Sequence, residues 1–281
     1  IITAFAVGFS SDGPYRDLPA YDDIIQAASG MASYQEAYSD QPSYTSGATA
    51  DKATGLMLAL SVVSSLFKRN KDNKDLEVEV PMFETMVDFT LVEHLYGYNF
   101  LPPKDEPVYP RQSSPNRKPY ETKDGFIAVL PYNDEQWLRF LKFIKKEHLI
   151  KTKKFSTLEN RNKNVDELYS LLVKELKKEK TNFWIKKLRE IDIPSMKINK
   201  PKDLFIDEHL KKTNFFKTYK HSTEGDLMYP RLPVYFNNER DNESKFEAPN
   251  LGNKTKEILI DLGYDKNEIE NLRKEKVIFF E

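Results

Sequence analysis

The chain has 281 residues, which fits one large domain or two smaller ones on a prior of roughly 150 residues per domain and is ample for a packed core. Its 43 basic and 44 acidic residues leave a net charge of -1, so no global field favours nucleic acid or an anionic membrane, and bulk electrostatic binding is excluded as its main activity. Cysteine is absent, which removes disulfides, thiolate nucleophiles, Cys-ligated zinc and iron–sulfur clusters and points to a reducing cytoplasm, while no uninterrupted apolar run approaches the roughly 18 residues that cross a bilayer, so a soluble chain is expected.

The chain opens Ile1-Ile2-Thr3-Ala4-Phe5-Ala6-Val7-Gly8 with no starting Met, basic stretch or cleavage site, and so does not read as a signal peptide. It reads as a strand entered midway, with further chain expected before it to complete a sheet. Asp22 and Asp23 open an apolar run as a helix N-terminus prefers, and Gly30 stops it. From Asp51 to Phe67, Leu56, Leu60, Val63 and Phe67 fall at helical spacing, with Lys68 and Arg69 suiting the C-terminal dipole. Leu76, Val78 and Val80 alternate with Glu77 and Glu79 as a strand that Pro81 ends, and a helix follows from Met82 to about Tyr96. Strand, crossover helix, strand and helix in that order predict a mainly parallel α/β sheet over residues 1–98.

Six prolines between Asn99 and Gly125 predict an extended linker, placed at 99–118. Residues 119–194 read as a small α+β domain. It has a strand at Phe126 to Leu130, a helix carrying Trp137, Phe140, Leu141 and Ile144, and Lys-rich helices carrying Val165, Leu168, Leu172 and Leu176, then Trp184 and Leu188. The last part, 195–281, holds β-prone pieces at Phe215 to Tyr219 and Leu232 to Phe236, short helices at Lys254 to Leu262 and Lys266 to Lys274, and an apolar end, Val277 to Phe280, read as a strand or docked tail.

No dinucleotide-binding Gly-x-Gly-x-x-Gly, phosphate loop, Gly-x-Ser-x-Gly elbow or His-Glu-x-x-His is present. His94, His148, His209 and His221 are scattered without metal-ligand spacing, so no metal is expected. The lysines from Lys142 to Lys187 are interleaved with Glu147, Glu159, Glu167, Glu175 and Glu179, which describes a solvated face better than a polyanion site. Asp22 and Asp23 point apart on a helix and need no role beyond first-turn acids. Asp51 follows the small-residue approach Thr45-Ser46-Gly47-Ala48-Thr49-Ala50. Spacing alone favours a structural first-turn acid there and leaves a carboxylate nucleophile open.

Gly8-Phe9-Ser10-Ser11-Asp12-Gly13-Pro14-Tyr15, Pro19-Ala20-Tyr21-Asp22, Gln26-Ala27-Ala28-Ser29-Gly30 and Ala50-Asp51-Lys52-Ala53-Thr54-Gly55-Leu56 together resemble the class III CoA transferases. Val78 to Glu84, Pro119 to Gly125 and Ala248-Pro249-Asn250-Leu251-Gly252 continue the resemblance in order and spacing. It implies a Rossmann-like domain, incomplete at its N-terminus by roughly a third of the family's length, with an inserted small domain and an interlocked homodimer for the full chain. It makes Asp51 the nucleophile that carries CoA as an aspartyl thioester between an acyl-CoA and a carboxylic acid, and it places Pro19, Ala20, Tyr21 and Asp22 against coenzyme A. The related racemases carry histidine where this chain has Tyr21, so the resemblance favours transfer over racemisation. A racemase or isomerase of the same fold, or a truncated non-catalytic fragment, are the alternatives. Only Gly125 lies between Pro107 and Phe126, where formyl-CoA transferases have a glycine-rich loop, which argues against formyl or oxalyl substrates. If the protein begins at Ile1, the isolated chain is expected neither to form the interlocked ring nor to bind CoA tightly.

Overall fold

Parallel neighbouring strands need a crossover between them, and the first part of the chain supplies a long one. The computed structural model describes residues 1–237, 239, 240 and 248–280, and its residues group into two compact units, Ile1–Ile198 and Asn199–Glu281. In the first unit β1 (Ile2–Val7) pairs in parallel with β2 (Leu76–Pro81), Ile2 opposite Leu76 and Val7 opposite Pro81. Between them run α1 (Asp22–Ala28), the single turns α2 (Met31–Tyr34) and α3 (Glu36–Ser39), and the 24-residue α4 (Thr49–Asp72). Gly30 takes φ 82°, the left-handed conformation that closes α1. Pro81 leads directly into α5 (Met82–His94). Phe9, Ile25, Ala50 and Met86 form the buried cluster under this layer.

The apolar stripe that marks α4 in the sequence is its open face. Leu56, Leu60, Val63 and Phe67 are 50–75% exposed, and the buried positions are the small Ala50, Thr54 and Ser65. Small residues let a helix approach its neighbours closely, so periodicity locates this helix without identifying the side that packs. Among the described residues α4 is also the one helix long and apolar enough, by length and composition, to cross a membrane. Uninterrupted runs underrate it because Asp51 and Lys52 punctuate its first turn.

The remaining sheets are antiparallel. β3 (Tyr120–Thr122), β4 (Gly125–Val129) and β5 (Ser195–Lys197) lie in that order, and the two-residue turn between β3 and β4 permits only an antiparallel hairpin. Packed with them are α6 (Asp134–Phe143), α7 (Leu158–Lys163), α8 (Val165–Leu176) and α9 (Thr181–Glu190). Phe140, Leu172, Leu176 and Leu188 are fully buried in the core of this layer, and the Trp184 indole donates to the Leu176 carbonyl at 2.8 Å. Lys180 provides no cap for α9, so Asp124 accepts from both the amide and the hydroxyl of Thr181, at 2.8 and 2.9 Å, and those bonds hold its carboxyl below the usual range. The interleaved lysines and glutamates pair with one another, and Glu175 is buried where a solvated face was expected: burial pushes its carboxyl up, and bonds from Lys178 and Lys146 outweigh it and lower the net value.

The proline-rich passage is anchored on both sides. The Tyr109 amide donates to Nδ1 of the buried His94 at 3.2 Å, and Gln112 Nε2 donates to Glu93 at 3.0 Å. Further along, Ser114 Oγ and Asn116 Nδ2 donate to Asp166 of α8, at 2.7 and 2.9 Å.

In the second unit α10 (Glu208–Lys212) precedes the hairpin β6 (Phe216–His221) and β7 (Gly225–Pro230). The imidazole of His221 accepts at Nδ1 from the Thr223 and Glu224 amides and meets the Ala248 carbonyl through Nε2. A two-residue β8 (Tyr235–Phe236) pairs with β9 (Glu239–Arg240), narrower than the Leu232 to Phe236 stretch, and α11 (Thr255–Asp261) and α12 (Lys266–Lys274) close the unit. The apolar end docks without forming a strand. Phe280 is buried 4.7 Å from the Arg273 guanidinium, and Gly252, at φ 79°, would bring any Cβ to 2.4 Å from the Phe279 carbonyl oxygen.

Burial pushes the His94 imidazole below its ordinary value of 6.5, against an opposing pull from Glu93. The unfolded chain therefore takes up this proton first, so the contribution is complete above pH 6.5 and is lost as pH falls through the folded-state value. Thermal melts taken between about pH 7.5 and 5 should show the melting temperature falling on acidification, with a shallower slope in His94→Gln, which retains an acceptor for Tyr109. Identical slopes in the two proteins would contradict this role for His94.

Candidate functional site

The first turn of α4 begins at a residue that cannot cap it. Ala48 occupies the N-cap position and has no side-chain oxygen, and the chain reaches it through Gly47 at φ 99°. The missing acceptor comes from α1: Asp22 Oδ1 accepts the Asp51 backbone N–H at 3.0 Å. A carboxylate there also suits the positive end of the helix dipole.

Gln26 fixes that carboxylate from below. It lies four residues after Asp22 on α1, the spacing at which two helical side chains meet, and it is fully buried. Its Nε2 donates to Asp22 Oδ2 at 2.6 Å, and its Oε1 accepts from both the amide and the hydroxyl of Thr45, at 2.9 and 3.1 Å. The Thr45 hydroxyl is in turn 3.0 Å from that of Thr49. One chain of polar contacts thus runs through α1, the small-residue approach and the start of α4. Because it grips Asp51 by the backbone, the Asp51 side chain is left exposed, and among the described residues no hydrogen bond or ion pair engages its carboxylate.

The other residues expected at the site sit beside this network. Pro19 and Tyr21 are exposed, and Ala20 is half-buried against Gly8, where an added Cβ would lie 2.5 Å from that of Ala20. Asp22 has both carboxylate oxygens occupied by protein donors, while Asp23 is exposed, so the adjacent acids point apart as helix geometry requires. The loop after β1 is secured by its amides: Ser11 donates to Glu79 at 2.9 Å and Ser10 to Glu84 at 3.3 Å. The Ser11 bond keeps the Glu79 carboxyl below its usual range.

Backbone donors around Asp51 are largely committed. The amides of Thr49, Asp51 and Lys52 donate to Gly47, Asp22 and Ala48, so these three are not free to hold a developing oxyanion. Among the described residues no group of three or more metal-ligating side chains converges. His94 and His221 are buried and engaged by backbone, and His148 and His209 are exposed. Sequence reasoning gave no role to Gln26 or Thr45. The Asp22 to Gln26 spacing was the available signal.

The profile of CoA-transferase family III matches residues 1–255. Among curated proteins, the chain is 28% identical over 99% of its length to the (R)-2-hydroxy-4-methylpentanoate CoA-transferase of Clostridioides difficile, covering 70% of that protein. It is 27% identical over 99% of its length to the cinnamoyl-CoA:phenyllactate CoA-transferase of Clostridium sporogenes, covering 68%, and 26% identical over 97% to the human succinyl-CoA:glutarate CoA-transferase, covering 62%. Its fold is similar to that of a CAIB/BAIF family protein from Brucella suis, with a TM-score of 0.68 at 24% identity, over 92% of this chain and 66% of that one. A mutant of a Mycobacterium tuberculosis protein gives a TM-score of 0.69 at 18% identity, over 84% and 61%. The chain thus spans between three-fifths and seven-tenths of the length of these relatives.

Gln26→Leu removes both an acceptor and a donor from a buried network and should cost about 1–3 kcal/mol in urea unfolding. Thr45→Val keeps the backbone bond to Gln26 and should cost less, about 1 kcal/mol. The reverse order would show that the network is not organised around Gln26.

Proposed function

The chain belongs to CoA-transferase family III, and from that premise we propose that it moves CoA from an acyl-CoA thioester to a carboxylic acid, with Asp51 as nucleophile. The observation that carries this reading is the division of labour at Asp51: its backbone is held by Asp22, and its carboxylate is exposed with no protein partner among the described residues. A nucleophile needs a fixed position and free lone pairs.

The reaction balances without an outside base. An Asp51 oxygen adds to the thioester carbonyl, and the C–S bond breaks to give a mixed anhydride and CoA thiolate. The thiolate adds to the Asp51 carbonyl of that anhydride and releases the donor acid as its carboxylate, leaving an aspartyl-CoA thioester. The acceptor carboxylate repeats the sequence in reverse: it attacks the aspartyl carbonyl, expels thiolate, and the thiolate takes the acceptor acyl group, restoring the Asp51 carboxylate. Each addition creates an oxyanion. With the Thr49, Asp51 and Lys52 amides of the first turn already bonded, donors for it come from other groups.

The relatives are named for hydroxy-methylpentanoate, phenyllactate and glutarate, which supports a carboxylic acid as acceptor. Pro19, Ala20 and Tyr21 are the proposed contacts to coenzyme A, Asp22 acts through the Asp51 backbone, and the full-length protein is proposed as an interlocked homodimer. Inversion at the carbon next to the thioester needs two proton-transfer groups, whereas Asp51 stands here without an imidazole beside it in the sequence position of Tyr21.

The test is a panel of acyl-CoAs incubated with the full-length protein, quenched with hydroxylamine and read by peptide mass. A modified peptide containing Asp51 is expected, absent in Asp51→Ala, with turnover in that variant reduced by about 10,000-fold or more. Unmodified Asp51 in a protein that still binds CoA would sink the nucleophile assignment, and exchange of the α-proton with solvent without CoA transfer would favour an isomerase.

A further inference from the structure

Away from Asp51, a cavity of about 170 Å³ opens between the proline-rich passage and helices α6 to α8, lined by Tyr109, Arg111, Tyr132, Trp137, Arg161 and Tyr169 among others. Two of these are guanidinium groups whose Nε atoms are buried and have no hydrogen-bond partner. Arg161 is otherwise satisfied, since it donates to the Phe155 carbonyl at 2.8 Å and pairs with Asp134. Arg111 is not. It is half-buried, its guanidinium lies 4.8 Å from the Tyr132 ring centre and 5.7 Å from that of Tyr109, and among the described residues no carboxylate or carbonyl receives it.

Stacking on two rings offsets part of the cost of burying a cation and leaves its in-plane N–H donors unused. The nearby acids do not supply the missing partner. Asp134 is taken by Arg161, and Asp166 accepts from Ser114 and Asn116. One positive charge is left uncompensated in a cavity whose other walls, apart from Asn162 and the paired Arg161, are aromatic and aliphatic. A guanidinium matches a carboxylate through two parallel hydrogen bonds, and a single net charge suits a monoanion better than a phosphate dianion. Burial raises the Tyr169 phenol above its ordinary value, so its hydroxyl remains a donor.

We propose that this cavity binds a monocarboxylate with an aromatic or apolar body, its carboxylate on the Arg111 guanidinium and its body against Tyr132 and Trp137. The site does not depend on the role given to Asp51, and its test reads binding alone.

Phenylacetate serves as probe, with phenylacetamide and inorganic phosphate as comparisons, read by calorimetry and by tryptophan fluorescence, to which Trp137 and Trp184 contribute. Saturable binding of phenylacetate is expected, with the amide and phosphate at least about tenfold weaker. Arg111→Leu should weaken phenylacetate by at least about tenfold, and Tyr132→Ala, which removes an exposed ring, by about two- to fivefold. If circular dichroism shows Arg111→Leu unfolded, Arg111→Lys, which keeps the charge and loses the planar fork, should bind at least about threefold more weakly. No saturable binding, equal binding of the amide, phosphate binding as tightly, or unchanged affinity in a folded Arg111 variant would each overturn the proposal.

Discussion

A buried primary amide has to spend its donors and acceptors inside the protein, because no water is there to take them. Gln26 does so between α1 and the start of α4, reaching Asp22 on its own helix and Thr45 on the approach to α4, and through Asp22 the amide of Asp51. The path of the chain from residue 45 to residue 51 follows from that one side chain. The arrangement also separates two demands that would conflict at the carboxylate proposed as nucleophile. Positioning comes from the peptide group, and the carboxylate oxygens stay without a partner among the described residues.

The rest of the first unit obeys the same economy of polar groups. At two helix starts that lack their own capping side chain, an acid from elsewhere in the fold provides it: Asp22 for α4 and Asp124 for α9. The irregular passage between α5 and β3 is ordered by hydrogen bonds to His94, Glu93 and Asp166, since prolines leave it few amides for regular pairing. Arg111 departs from the pattern, a cation held by ring faces with its donors idle.

Elements with a strong period were legible in the sequence. The alternation around Val78 gave β2, and the apolar spacing through Trp137, Leu168 and Trp184 gave the helices α6, α8 and α9. The three-residue strands β3 and β5 carry no period to read, and their pairing with β4 is set by tertiary contact. On α4 the period was present and its meaning reversed, because Leu56, Leu60, Val63 and Phe67 are exposed and the helix packs through small residues. Asp51 was legible as a residue at a helix start with small neighbours. The carboxamide that organises its surroundings was legible only in part: the four-residue spacing pairs Asp22 with Gln26 on one helix, and nothing in the sequence says that Thr45 will be brought to them.

The contact between Gly8 and Ala20 joins two positions twelve residues apart into a single volume. A methyl at position 8 would stand 2.5 Å from the Ala20 Cβ, closer than two carbons approach without displacement. Homologous chains with the same loop must therefore divide a fixed allowance between these sites, and bulk gained at one has to be surrendered at the other. Since Tyr21 and Asp22 follow Ala20 directly, drift at the eighth position would be felt at the start of α1, and the two sites are bound to change together through evolution or to hold still.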